Sequence, residues 1–120
     1  MTIYNKGDIV LVPFPFSDQT TTKKRPAVII SSNRYNNTSP DIVIMAITTK
    51  TDKTLTLGEC LIENWQGAGL LKPSVLKPAI STIEQTLVLK KLGRLSQKDL
   101  ILMENTLVEF LDLREKKTKT

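Results

Sequence analysis

Over most of this chain the apolar residues fall into short runs separated by polar stretches, and only near its end do they recur at helical spacing. The run IVLV at 9–12 follows the turn pair Gly7 and Asp8 and reads as a strand. Pro13 and Pro15 should end its ladder pairing, because proline has no N–H to donate, and Phe14 and Phe16 flank them as apolar anchors. SDQTTTKK, at 17–24, carries neither the helical nor the strand period and predicts a loop. Residues 25–32 form a near-continuous β-branched run, the pattern of a strand covered on both faces. Residues 33–40 are rich in Asn, Ser and Thr and predict a turn that exposes Arg34 and Tyr35. A third strand follows at 42–48.

Beyond it, 50–58 is polar and predicts a long loop, and 60–62 a short strand. WQGAGLLKP holds two glycines and reads as a turn carrying a partly buried Trp65. Three further short strands are predicted at 74–77, 80–83 and 86–92. The helix comes last, with Ser96 as N-cap, Asp99 at its third position and Leu95 stapled to Leu100. Leu100, Met103, Leu107 and Leu111 then recur at steps of three and four, with Phe110 widening a stripe that predicts core packing. Many short, closely spaced strands indicate a small barrel rather than a sandwich. The predicted class is mainly β: an SH3-like barrel with a C-terminal α-helix. It forms one domain over 1–114, followed by a basic tail at 115–120.

Composition narrows the chemistry. A chain of 120 residues can bury an ordinary core without disulfides or a structural metal. The single Cys60 has no internal partner, fits a reducing cytoplasm, and is expected to be a small buried residue. No run has signal-peptide or membrane-span length, so the expected location is cytoplasmic, without a membrane partner. The net charge of +5 is moderate, but its placement is informative: Lys23, Lys24 and Arg25 share one segment, and Lys90, Lys91 and Arg94 another. Such clusters neutralise phosphates. The chain has no histidine, which excludes His-based nucleases, Ser-His-Asp hydrolases and His-ligated metals. One cysteine excludes a zinc ribbon, and the acids do not cluster as a Mg²⁺ site. No metal or other cofactor is predicted.

Arg25 opens one predicted strand and Thr48 closes another, so adjacent strands would bring a fixed cation and a hydroxyl together. A guanidinium is planar, permanently charged and bidentate toward phosphate oxygens. A threonine hydroxyl can donate to a phosphoryl oxygen and hold it in line. Together they suit the binding and attack of a phosphodiester. Thr49, one residue on, points to the opposite face of an ideal strand, a choice that a bulge would reverse. Thr48 is therefore the hydroxyl expected beside Arg25.

GDIVLVPFPFSD, KKRPAVIIS, AITT, LLKPSVLKP and LVLKKLGRLS, in this order, resemble the MazF/PemK toxins of bacterial type II toxin–antitoxin pairs. The resemblance covers nearly the whole chain from Lys6 to the final helix. It implies a homodimeric, metal-independent endoribonuclease that cuts single-stranded RNA at short sequences. It places Arg25 and Thr48 at the family's catalytic arginine and threonine. The family gives the arginine an acid/base role, whereas chemistry alone supports electrostatic stabilisation, and both readings stand at this point. Lys23, Lys24, Thr49 and Lys50 are the expected RNA contacts. The implied partners are RNA, a second copy of the chain, and an antitoxin with an acidic, partly disordered C-terminal segment. Promoter DNA would be met only through that antitoxin. One departure stands out: the family's glycine-rich loop before the arginine is TTTKK here, and its nearest acid, Asp18, reads as a turn residue. Two alternatives remain, a gyrase-binding toxin of the same barrel and a non-catalytic, nucleic-acid-binding SH3-like module.

Overall fold

The computed structural model describes residues 2–14, 23–49 and 54–113. Six strands pair, all antiparallel, into one curled sheet, a half-barrel with a helix at its C-terminal end. The elements are β1 (Asp8–Phe14), β2 (Lys23–Ile29), α1 (Asn33–Thr38), β3 (Asp41–Thr49), β4 (Cys60–Ile62), β5 (Ser74–Glu84), a 3₁₀ turn (Gln85–Leu87), β6 (Lys90–Arg94) and α2 (Gln97–Leu111). Their order across the sheet is β4-β5-β3-β2-β1-β6.

Side chains on a strand point alternately to opposite faces, and here both faces are apolar. Ile9, Val28, Met45 and Ile47 join one buried cluster with Leu95 and Met103, on the side of α2. Val10, Ala27, Ile44 and Ala46 join a second cluster on the other side. The unbroken β-branched run in β2 is thus explained as predicted: Val28 serves one core, Ala27 and Ile29 the other.

Several boundaries differ from the sequence reading. Pro13 does not end the ladder; it pairs with Lys24, and Phe14 pairs with Lys23. Proline is tolerated there because, among the described residues, β6 pairs with β1 only as far as Leu11 and no strand pairs with that side of β1 at Pro13. Because Lys23 and Lys24 find partners in Phe14 and Pro13, β2 opens at Lys23, two residues before the predicted start, and it closes at Ile29. The predicted turn at 33–40 contains α1, whose N-cap Ser32 accepts a hydrogen bond from the Tyr35 N–H at 3.1 Å. Arg34 and Tyr35 are exposed, as expected. Residues 86–92 are not one strand but the end of the 3₁₀ turn followed by β6. The expected tail at 115–120 lies outside the described residues.

The two strands predicted at 74–77 and 80–83 are one strand with a bulge. Met45 pairs with Ile80 and Ile47 with Leu76, so two steps on β3 face four on β5. The surplus surrounds Pro78, a residue unable to donate to the ladder. Because the extra residues are on β5, the alternation of β3 runs unbroken to Thr49.

At the C-terminal end, Ser96 caps α2 as predicted, accepting from the Asp99 N–H at 3.1 Å. Met103 is buried, and Leu100, Leu102 and Leu107 pack against the same cluster. Leu111 departs from the predicted stripe, being 48% exposed. The Asp99 carboxylate is buried and accepts from the N–H groups of Glu63 and Asn64 at 3.1 and 2.9 Å. It thereby ties the turn after β4 to the first turn of α2, where the helix dipole favours an anion. That turn then presses against β6: a Cβ on Gly69 would lie 2.1 Å from the Leu92 carbonyl oxygen, and Gly69 has φ +87°. Only glycine permits this approach. Cys60 is buried as expected, and burial raises its thiol pKa, which keeps it protonated and unreactive near neutral pH. Among the described residues no helix is long and apolar enough to cross a membrane.

Asp99→Ala removes one acceptor from two backbone donors. It should lower stability by about 3 kcal/mol, the scale for hydrogen bonds to a charged group. Urea denaturation should show a reduced midpoint with an unchanged slope; an unchanged midpoint would mean that water satisfies both donors.

Candidate active site

The ends of β1, β2 and β3 meet β6 and the segment after Gly69 around a cavity of about 640 Å³. Most of its strand residues share one face. Leu11 pairs with Pro26 and Lys90, and Thr49 pairs with Ser74, all on the α2 side of the sheet by alternation. Leu70 and Leu92 close the apolar part of the wall.

Arg25 and Thr48 reach this cavity from the opposite face. The paired stretch of β2 and β3 ends at Ala27↔Ala46. Continuing that register by two residues sets Arg25 across from Thr48, on the side of the second apolar cluster. The β5 bulge leaves this relation intact. Arg25 and Thr48 are half-buried and Thr49 is exposed. Arg25 and Thr48 thus come from adjacent strands to one cavity, with Thr49 on its opposite, α2-side wall.

Two more cations border the space, Lys72 and Lys90, and no carboxylate does among the described residues. Lys90 belonged to the basic cluster noted in the sequence, but the strand divides that cluster. Lys90 faces the cavity beside Leu11, whereas the Lys91 ammonium lies 3.3 Å from the carboxylate of buried Asp8. Asp8 also accepts from the Asn5 N–H at 2.8 Å. Lys91 is thus held by the fold. Lys72 escaped the sequence reading. Its signal was the basic residue inside LLKPS, within one of the pieces that carry the family resemblance. Ser74 in that piece is buried, with its hydroxyl donating to the Lys72 carbonyl at 2.7 Å.

The other expected contacts are less central. Lys23 and Lys24 are exposed at the outer end of β2 and do not line the cavity. Lys50 and Asp18 lie outside the described residues, as does the loop at 17–22. Trp65 packs against the α2-side core, while Gln66 is exposed. A second cavity of about 330 Å³ shares Thr48 and Thr49 with the first and adds Val75, Lys77 and Glu59. The two threonines form the partition between the cavities. Glu59 accepts from the Thr56 N–H at 2.9 Å, which shapes the rim of the smaller one. Among the described residues no three His, Cys, Asp or Glu side chains gather as a metal site.

A cavity of fixed cations, hydroxyls and apolar walls, with no acid among its described lining, attracts a polyanion that carries apolar rings. Apolar walls also lower the local dielectric and strengthen each charge contact.

Known proteins agree with this architecture. An endoribonuclease of a mycobacterial species, solved in complex with its cognate antitoxin, matches with TM-score 0.74 at 17% identity, covering 94% of this chain and 99% of its own. MazF of Deinococcus radiodurans gives 0.72 at 17% identity, covering 93% and 99%. The Mycobacterium tuberculosis toxin MazF-mt6 gives 0.73 at 18% identity, covering 90% and 99%. At such identities the likeness establishes the fold. No functionally curated protein matches the sequence. The family itself follows from the sequence match: the model of the PemK-like, MazF-like toxins covers residues 5–111, so this chain belongs to that family of type II toxin–antitoxin toxins.

Proposed function

We propose that the protein is a sequence-selective endoribonuclease that cleaves single-stranded RNA without a metal ion. The observation that carries this reading is the cavity in which Arg25 and Thr48, from adjacent strands, meet Lys72, Lys90 and an apolar wall. The family and its endoribonuclease members support RNA as the substrate class. The two cavities divided by Thr48 and Thr49 give a track along which an RNA strand crosses the threonines.

In the proposed reaction the 2′-oxygen loses its proton, bonds to the adjacent phosphorus, and the bond to the 5′-oxygen breaks. The departing 5′-oxygen takes up a proton. The products are a 2′,3′-cyclic phosphate and a 5′-hydroxyl. Negative charge grows on the non-bridging oxygens at the phosphorane stage, and Arg25 is suited to hold it. A guanidinium holds its protons tightly in water and is a poor proton donor, so we assign Arg25 electrostatic stabilisation rather than acid catalysis. Thr48 donates its hydroxyl to a phosphoryl oxygen and keeps the phosphorus in line. The absence of histidine and of an acidic cluster among the described residues supports a route that needs no metal.

Two partners belong to the same reading. A second copy of the chain would bring two basic β2 ends into one isologous dimer. An antitoxin peptide with acidic and apolar residues would compete with RNA for the same cations, folding as it binds.

Cleavage of a long transcript should persist in EDTA, and mapping of the ends should give cyclic phosphate and 5′-hydroxyl. Activity that returns only with Mg²⁺ would reject the scheme.

Arg25→Ala should lower the cleavage rate by about 10²-fold, the effect of deleting one oxyanion stabiliser. Thr48→Ala should cost more than Thr49→Ala. A reversal would show that the residue on the α2-side wall, not the one opposite Arg25, presents the hydroxyl.

Light scattering at micromolar concentration should give a dimer. An acidic antitoxin peptide should displace labelled RNA from that dimer in an anisotropy titration. A monomer, or a neutralised complex that still binds RNA with unchanged affinity, would remove this part of the proposal.

A further inference from the structure

We propose that the lip at 70–72 holds the nucleotide beside the scissile phosphate, with the Leu71 side chain against its base and the Lys72 ammonium against its phosphate. The inference rests on the reading of the cavity as an RNA-cleavage site. Leu71 borders the cavity yet is 93% exposed, the highest exposure of any large apolar side chain among the described residues. It contributes nothing to the core, while its neighbour Leu70 is buried in the α2-side cluster.

The lip is not simply loose chain. The Leu70 N–H donates to the Trp65 carbonyl at 3.0 Å, and Gly69 rests on the Leu92 backbone. On the other side the Ser74 hydroxyl holds the Lys72 carbonyl at 2.7 Å. Leu71 and Lys72 are therefore presented outward by a segment anchored at both ends, and preorganisation of that kind reduces the entropy lost on binding.

Charge decides what this lip receives. Lys72 adjoins Leu71, and Arg25 and Lys90 stand on the same cavity, without a carboxylate among the described lining. A second copy of this chain would meet its own like charges here. A nucleotide offers a flat apolar base for the leucine and a phosphate for the lysine. Contact with a base face tolerates any base, so Leu71 sets which phosphate lies over Thr48 rather than reading the sequence. Lys72 adds affinity that is independent of sequence.

The test uses a short single-stranded RNA spanning a cut site mapped in a long transcript. A 2′-deoxy group at the cut nucleotide allows binding to be measured without cleavage, and single abasic substitutions are walked along both sides of the cut. Leu71→Ser should weaken binding of the intact RNA about fivefold, the scale for losing the partial burial of one leucine side chain. At one position the abasic substitution should weaken the wild type by the same factor and leave Leu71→Ser unaffected, the non-additivity of a direct contact. Lys72→Gln should reduce the slope of log affinity against log salt by about 0.7. Light scattering should show the same oligomeric state for all three proteins. Losses that add at every position, a Lys72→Gln slope equal to that of the wild type, or a Leu71→Ser protein of altered oligomeric state, would each overturn the inference. A wild type that cuts RNA beside a Leu71→Ser protein with unchanged binding would overturn it alone. A wild type that neither binds nor cuts RNA would overturn the endoribonuclease reading with it.

Discussion

The pairing of β2 with β3 constrains everything that follows in this molecule. Each of these strands supplies two cores at once, Val28 and Met45 to the α2 side, Ala27 and Ala46 to the other. A slip of one residue would exchange the two sets and leave neither cluster packed, so the register is strongly fixed. Arg25 and Thr48 lie near the ends of these strands, two residues beyond the last pair that joins β2 to β3. Their relative placement is therefore inherited from core packing several residues away.

The far wall of the cavity depends on a second, independent constraint. Asp99 gathers the N–H groups of Glu63 and Asn64 at the N-terminus of α2, and five residues later Gly69 lies against the backbone of Leu92. A buried carboxylate fixes one end of this turn and a backbone-to-backbone contact fixes the other. Lys72 and Leu71 are held opposite the strand ends as a result. One wall is thus a product of side-chain alternation and the other of a turn clamped between helix and sheet.

The alternation was legible in the sequence, as were the helix cap and the order of most strands. A β-branched run such as 27–30 has few other interpretations, and Ser96 followed by Asp99 before an apolar stripe is a strong start signal. The places of Arg25 and Thr48 on adjacent strands were legible as well, since each marks the end of an apolar run. What escaped depended on contacts between distant segments. Pro13 stays paired because β6 has already ended, a fact held in neither proline nor its neighbours. Pro78 bends a continuous strand instead of dividing it, because β3 passes beside it and supplies partners on both sides of the bulge. The α1 helix was hidden by its Asn- and Thr-rich composition, which favours turns until Ser32 supplies a cap. The place of Lys72 on the cavity could not be recognised locally, since it depends on where Gly69 meets β6.

The charge distribution shows why a net +5 is informative only when resolved residue by residue. Asp8 is buried beside Lys91, Glu104 lies 2.7 Å from Lys6, and Glu63 lies 3.0 Å from Lys98. Asp99 is spent on backbone donors inside the fold. These acids hold structure together away from the large cavity, and each takes a cation or a set of amides as its partner. The cavity consequently keeps the field of Arg25, Lys72 and Lys90 without a carboxylate among its described lining to offset it. Field lines concentrate in a cleft with apolar walls, so three cations placed there act on an approaching phosphate more strongly than the same charges spread over a convex surface. Among the described residues the fold thus sets these acids apart from the large cavity, which on the proposed reading is where an anion enters.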